Sequence, residues 1–270
     1  MIKTIIFILA SVTYSYAQPN CLAFKYYGDS LKCQACETLE KAKGHYQFTK
    51  KFQEVHDEAI AIDSTFAYAY REKSVAYLKS GDFITWKELV DKAVYYNPKD
   101  NLAYRGWCRY QFFGDYKGAI EDIEALEKLV DYDIGHSVNG DYHLTVAKAL
   151  WYKAIGRSLK ALDLIEGYLE NSENAAGIYD YLHLGVLYFE QGKYQAAIAA
   201  FEKQEAWNNI ADSHYYKALA LEALDSPQER EKELEIAKAL YLKGSKMFNH
   251  YTHYPDKIYL EDIEQALNGR

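Results

Sequence analysis

Residues 184–201 read LGVLYFEQGKYQAAIAAF, and this stretch decides the fold of a chain of 270 residues. Gly185 and Tyr188 stand in an apolar pattern of helical spacing before a glycine turn, and Ala197 and Phe201 continue such a pattern after it. A small residue lets two helices approach closely, while a neighbouring ring fills the gap beside it. The stretch therefore predicts two helices packed as a hairpin.

The same turn, a glycine followed by a polar and then an aromatic residue, recurs along the chain. Its copies are Gly81-Asp82-Phe83, Gly114-Asp115-Tyr116, the degenerate Gly156-Arg157-Ser158, and Gly192-Lys193-Tyr194. Small residues recur in the first helices at intervals of 34, 41, 36 and 33 residues, at Ser74, Cys108, Ala149, Gly185 and Ala218. The matching positions of the second helices are Trp86, Ala119, Ala161, Ala197 and Arg230. Because both series share one long interval, they predict a repeat array with an insertion of about seven residues in Asp131–Asp141.

These residues resemble the tetratricopeptide repeat (TPR) family, whose unit is a helix–turn–helix of about 34 residues. The resemblance implies an all-α fold, an α-solenoid of about five to six repeats with a concave face lined by the first helices. An N-terminal cap with an irregular first repeat is expected at 18–66. A C-terminal capping segment is expected at 244–270, with a helix over 257–267. The regular repeats are expected at 67–100, 101–134, 142–175, 178–210 and 211–243.

The first residues have the features of an export signal. Lys3 precedes an apolar run at 5–10, and the segment ends in Ser-Tyr-Ala. This pattern predicts a signal peptide at 1–17, cleaved before Gln18, and hence a periplasmic or extracellular protein. The alternative, a lipid anchor on Cys21, fits less well because Pro and Asn precede that residue. No later apolar run approaches the roughly 18–20 residues that a membrane-spanning helix needs.

Three of the four cysteines, Cys21, Cys33 and Cys36, lie near the predicted mature N-terminus, while Cys108 occupies a small-residue position of the repeat. An exported protein can keep a disulfide. In the helix predicted from about residue 31, Cys36 lies roughly 80° from the centre of the apolar stripe and Cys33 roughly 140° from it. We therefore expect Cys21 and Cys36 to form a disulfide.

Composition and motifs limit the classes of function. The chain has 31 Lys and Arg against 39 Asp and Glu, a net charge of −8, which argues against a sequence-independent nucleic-acid binder. The sequence has no glycine-rich phosphate loop, Gly-x-Ser-x-Gly elbow or His-Glu-x-x-His motif, so no catalytic residue, cofactor or metal site is predicted. The acidic run of Glu121, Asp122 and Glu124 is interpreted as a solvated helix face.

Cations and rings recur at the inward positions of the predicted first helices. Converging guanidinium and ammonium groups suit carboxylates, so we expect the concave groove to bind a partly acidic peptide or protein segment. The alternative is that the side-chain stems pack on tyrosines while their charged ends pair with neighbouring Asp and Glu. In the last repeat, Asp212 takes an inward position. The candidate groove residues are Tyr68, Arg71, Lys79, Arg105, Arg109, Phe112, His143, Lys153 and Tyr179.

These features favour a non-enzymatic scaffold that binds a protein or peptide partner outside the cytoplasm. Two alternatives stay open. One is a surface glycan-binding module that stacks sugars on aromatic rings, although the repeat register puts most of these rings on the packing side; they are Trp107, Trp151, Tyr104 and Tyr152. The other is a carbohydrate-active enzyme built as a helical toroid, which would need a longer chain and an acid–base carboxylate pair.

Overall fold

The computed structural model describes residues 19–171, 176–248 and 254–269. Across these ranges it is all-α, with fourteen α-helices, one short 3-10 turn and no β-strand. The predicted signal peptide lies outside the described residues. None of the helices in the described ranges is both long and apolar enough to cross a membrane. The chain divides into two compact units between Asn97 and Pro98, so the first regular repeat groups with the N-terminal cap.

Unit 1 contains five helices: α1 (Cys21–Tyr26), α2 (Ser30–Leu39), α3 (Lys50–Ile62), α4 (Ala67–Ser80) and α5 (Phe83–Tyr96), with a 3-10 turn at Glu40–Ala42. Side-chain oxygens of Asp29, Thr49 and Asp82 accept hydrogen bonds from the first turns of α2, α3 and α5, so each of these helices begins at a capping residue. The α2–α3 pair is the irregular first repeat, and α4–α5 is the first regular one.

Unit 2 contains four further helix pairs and a last helix. Within each pair the two helices pack antiparallel, and the second helix of a pair contacts the first helix of the next. This is the expected stacked array of helical hairpins. The helices are α6 (Pro98–Phe113), α7 (Tyr116–Leu129), α8 (Leu144–Ala154), α9 (Ser158–Asn171), α10 (Asp180–Glu190), α11 (Tyr194–Trp207), α12 (Ala211–Ala223), α13 (Pro227–Lys243) and α14 (Leu260–Leu267).

The residues that marked the repeats take the positions expected of them. Ser74, Cys108, Ala149 and Ala218 are buried between the helices of their pairs. A Cβ atom on Gly185 would overlap the ring of Phe201, lying 2.8 Å from its Cζ atom. The close approach of the two helices therefore depends on the absence of a side chain at that position.

The insertion joins α7 to α8 and folds back onto its own unit. The backbone N–H of Leu144 donates to the carbonyl oxygen of Gly135 at 2.9 Å. The Nδ1 atom of His143 accepts a hydrogen bond from the backbone N–H of Thr145 and so caps α8. Its Nε2 atom lies 2.6 Å from Oδ1 of Asp133, and its ring stacks on that of Tyr168. His143 is thus a buried structural residue, which corrects its expected place in a groove.

The C-terminal capping helix is confirmed as α14, which packs against α13. Arg230, which breaks the small-residue pattern of the second helices, donates from Nη2 to the carbonyl oxygen of Ala266 at 2.7 Å. Its Nε atom also lies 3.3 Å from Oε2 of Glu222. The large residue stands there because this pair receives a terminal helix whose last carbonyl groups need donors.

Candidate functional site

Unit 1 has an open cavity with a volume of about 720 Å³, between the loop after α2, helix α3 and helix α4. Three of the nine candidate groove residues, Tyr68, Arg71 and Lys79, line it together. The other lining residues are Leu39, Ala42, Lys43, Gly44, His45, Tyr46, Gln47, Phe52, His56 and Glu72.

The charge of this cavity is mainly positive. Lys43, Arg71 and Lys79 contribute cations, and Glu72 is the single carboxylate among the lining residues. Burial raises the pKa of Glu72, and the charges of Arg71 and Lys79 offset only part of that rise. Lys43 lies 3.7 Å from Glu40 in an exposed pair, which restrains it little. The cavity therefore offers positive charge to a ligand.

Aromatic rings supply the apolar part of the cavity wall. The rings of Phe52 and His56 lie 4.2 Å apart, and His56 Nδ1 is 2.8 Å from the carbonyl oxygen of Phe52. Burial, followed by the charge of Glu72, raises the pKa of Tyr68 to about 12. The Tyr68 hydroxyl is therefore neutral at physiological pH and able to donate a hydrogen bond.

Sequence reasoning missed Lys43, His45, Tyr46 and Phe52, which line the same cavity. They lie in the irregular pair and its loop, where no repeat register marks an inward position. The only available signal was the density of cationic and aromatic residues between 41 and 52.

Arg105 and Arg109 differ from their expected role. Nη2 of Arg105 lies 2.6 Å from Oδ1 of Asp122, and its Nε lies 3.0 Å from Oδ2. Nη1 of Arg109 lies 3.2 Å from Oδ2 of Asp122 and donates to the carbonyl oxygen of Gly118 at 3.0 Å. Asp122 is only 3% exposed, so its assignment to a solvated face was wrong. A buried carboxylate needs compensating charge, and the two arginines provide it from the partner helix.

The remaining candidates are in unit 2, where the chain's own C-terminal segment covers two of them. Lys153 Nζ lies 2.5 Å from Oδ1 of Asp256 and 2.8 Å from Oε1 of Glu190. Tyr179 is buried, and its ring contacts that of Tyr254. Residues beyond α13 therefore pair with Lys153 and cover Tyr179, which corrects the expected role of both in an open groove.

Phe112 is exposed and lines a second cavity, of about 490 Å³, in unit 2. Tyr110, Tyr116 and Trp151 form its aromatic wall, and Pro255 closes one side. Among the cationic candidates, Lys153 alone lines this cavity, and its two carboxylate partners compensate its charge.

One group of side chains in unit 2 has the composition of a metal site. Potential ligand atoms of Glu205, His214 and Glu233 lie within 4.8 Å of one another. The Lys217 ammonium group lies 3.2 Å from a carboxylate oxygen of each glutamate. This cation already compensates both carboxylates, so the group is an ion-pair network that ties α11, α12 and α13 together.

The structure joins Cys21 to Cys36 by a disulfide with a Cα–Cα distance of 5.5 Å, and it leaves Cys33 and Cys108 as buried thiols. The bond attaches α1 to α2. Cys36 faces the core of unit 1, together with Ala35 and Leu39.

Comparisons with known proteins identify the fold. No protein-family model and no curated protein matches the sequence. Among solved structures, YrrB, described as a TPR protein with an unusual peptide-binding site, is 16% identical with a TM-score of 0.56, covering 70% of this chain and 93% of its own. PilF of Pseudomonas aeruginosa is 15% identical with a TM-score of 0.58, covering 78% and 94%. PilW, described as a widely conserved type IV pilus biogenesis factor, is 13% identical with a TM-score of 0.57, covering 88% and 98%. At these identities the likeness shows the fold, and the expected TPR architecture is confirmed.

Proposed function

We propose that this TPR-fold protein is a non-enzymatic interaction scaffold, exported from the cytoplasm, that holds a carboxylate-bearing segment of a partner protein in the unit 1 cavity. The observation that carries the proposal is the convergence of Lys43, Arg71 and Lys79 on one cavity whose lining residues include a single carboxylate, Glu72.

The physical basis is complementarity between a charged rim and an aromatic wall. An arginine binds a carboxylate through two parallel hydrogen bonds, and partial burial strengthens such a pair relative to one in water. Phe52 and Tyr68 offer ring surface to apolar parts of the same segment. A volume of about 720 Å³ falls within the range of cavities that enclose a few side chains of a ligand.

Two further observations support the proposal. YrrB, a protein of similar fold, is described as having a peptide-binding site. Export is supported by the signal-peptide pattern at 1–17 and by the disulfide between Cys21 and Cys36, a bond that persists in oxidising compartments.

The glycan-binding alternative loses its support because its stacking platforms are interior residues. Trp107, Trp151, Tyr104 and Tyr152 are all buried in unit 2. An aromatic ring binds a sugar by presenting a free face, and these rings are packed against neighbouring helices instead.

The proposal can be tested with a synthetic peptide of alternating glutamate and tyrosine residues, carrying a fluorescent label and compared with the same peptide containing glutamine in place of glutamate. We expect the acidic peptide to bind in a salt-sensitive manner and the glutamine peptide to bind weakly. In the double variant Arg71→Glu/Lys79→Glu, the dissociation constant for the acidic peptide should rise by about tenfold or more.

The matched control is Lys50→Glu/Lys51→Glu, which makes the same change of net charge at exposed positions of unit 1 that do not line the cavity. This control should bind the acidic peptide within about twofold of the unchanged protein. Equal losses in the two double variants would mean that binding follows net charge alone, and the cavity would then have no specific role.

A further inference from the structure

The chain between α13 and α14 lies along one side of unit 2. The described residues of this stretch, 245–248 and 254–259, are named here the C-terminal segment. They contact α8, α10 and α12, the first helices of three successive pairs. The residues that meet the segment, Lys153, Tyr179, His183 and Asp212, are named the first-helix face.

A single buried carboxylate holds the backbone of the segment at both ends. Oδ2 of Asp212 accepts from the backbone N–H of Met247 at 2.8 Å, and Oδ1 accepts from that of Ile258 at 3.2 Å. Burial raises the pKa of Asp212, and these two N–H groups act against that rise. The Asp212 carboxylate thus binds backbone N–H groups, which every residue other than proline has.

A second part of the face binds an acidic side chain. Oδ2 of Asp256 accepts from Nδ1 of His183 at 2.7 Å, while Oδ1 pairs with Lys153. Nε2 of His183 accepts a hydrogen bond from the hydroxyl of Tyr142 at 3.0 Å, which fixes the imidazole ring. Burial alone would raise the pKa of Asp256, but the hydrogen bond from His183 and the charge of Lys153 lower it overall. Asp256 is therefore bound as a carboxylate.

A third part of the face binds a ring. Tyr254 packs edge-on against Tyr142 and Tyr179, with ring centroids 5.6 Å and 5.2 Å apart. Pro255 follows it and Asp256 comes next, with a left-handed backbone at φ 63°. The three residues form a turn, and the side chains of Tyr254 and Asp256 bind at adjacent places on unit 2.

The position of the segment matches the repeat register. Lys153, Tyr179 and Asp212 are inward positions of the register in three successive repeats, and each of the three contacts the segment. Backbone recognition, a paired acidic side chain and an aromatic site together are the elements by which grooves bind peptides.

We propose that the first-helix face of unit 2 is a peptide-recognition site for an aromatic–proline–acid turn, and that the C-terminal segment is its built-in ligand. A partner protein that presents such a turn competes for the same contacts. This site is separate from the unit 1 cavity, so the two proposals stand or fall independently.

The test uses the full chain with Asp256→Gly, a change that glycine's tolerance of positive φ accommodates while the carboxylate is lost. The probe is a labelled synthetic peptide of residues 246–258, compared with the same peptide carrying glycine in place of Asp256. We expect the Asp256→Gly protein to bind the native peptide more tightly than the altered one, by at least about tenfold. The unchanged protein should bind neither, because its site is filled.

A second variant, Asp256→Asn, keeps the side-chain shape and removes the charge. Hydrogen exchange in this variant should be faster at the amides of Met247 and Ile258, while α8, α10 and α12 keep their protection. If α8, α10 and α12 lose protection together with the segment, the segment is an inseparable part of the core and the proposal is wrong. Equal affinity of the Asp256→Gly protein for both peptides would overturn it as well.

Discussion

At the scale of single residues, Gly185 marks a close approach of two helices that leaves no room for a side chain. A methyl group there would overlap the Phe201 ring. We predict that Gly185→Ala lowers the free energy of unfolding by about 1–3 kcal/mol, because overpacking outweighs the gain in helix propensity. Gly167, inside α9 with no atom near its missing Cβ, is the matched control. Gly167→Ala should raise stability by about 0.5–1 kcal/mol in the same urea titration. If both variants were more stable, the close approach would not be limiting.

Two non-glycine residues in the described ranges have positive φ. We expect the same substitution to change stability in opposite directions at the two positions. Asp225, at φ 56°, is exposed and stands in the turn where the other regular pairs have glycine. Asp225→Gly should therefore stabilise the protein, by up to about 1 kcal/mol, by relieving a left-handed conformation. Asp256→Gly should destabilise it by about 3–5 kcal/mol, because His183 and Lys153 lose a shared buried carboxylate and only Lys153 keeps another, Glu190. Thermal unfolding of both variants checks the pair, and a loss of stability in Asp225→Gly would contradict the strain argument.

At the scale of helices, the repeat rhythm predicted each regular hairpin, because a small residue recurs in every first helix and a turn glycine recurs in four of the five regular pairs. It did not predict the partners of the charged residues. Asp122 and Arg105 lie 17 positions apart, and nothing in one helix shows that a carboxylate of the other turns inward. The register marked Lys153 and Asp212 as inward positions, but it did not show that the chain's own C-terminal segment would contact them, because that segment lies outside the repeats.

Helix α3 gives unit 1 a dependence on pH through His56. Burial, only partly offset by the contact with the Phe52 carbonyl, lowers the pKa of His56 below its usual 6.5. The unfolded chain therefore binds the proton first, so the stability that the neutral side chain contributes is complete above about pH 6.5 and is lost below it. We predict that unit 1 loses stability between pH 7.5 and 5.5, with a slope of at most about 1.4 kcal/mol per pH unit from this residue.

The measurement compares thermal unfolding of the unchanged protein with that of His56→Gln across this range. Each protein serves as its own reference at pH 7.5, because the substitution also changes packing against Phe52. Glu72, whose raised pKa adds stability as the pH falls, is present in both proteins, so the difference between their pH slopes reports His56. An identical pH slope in both proteins would show that His56 is not the group responsible.

At the scale of the whole molecule, the Cys21–Cys36 disulfide and the proposed export of the chain are linked. A signal peptide removed before Gln18 and a persistent Cys21–Cys36 bond are both expected of an exported protein, and Cys33 and Cys108 are buried thiols in the structure. We predict that the exported protein begins at Gln18 and that, denatured without reductant, it has two thiols open to alkylation. Intact-mass measurement checks both statements, and four reactive thiols would remove the disulfide from the fold.

Reduction should then act on unit 1 alone. The bond closes a separation of 15 residues, which corresponds to about 3 kcal/mol in the chain-entropy account. Added dithiothreitol should therefore speed hydrogen exchange in α2 and α3 and leave the protection of α10 to α13 unchanged. The variant Cys36→Ser should reproduce this pattern without reductant, while Cys33→Ser, which keeps the bond, should not. Because the unit 1 cavity is built on α3 and the loop after α2, the reduced protein should also bind the acidic peptide more weakly, and unchanged binding would separate the bond from the site.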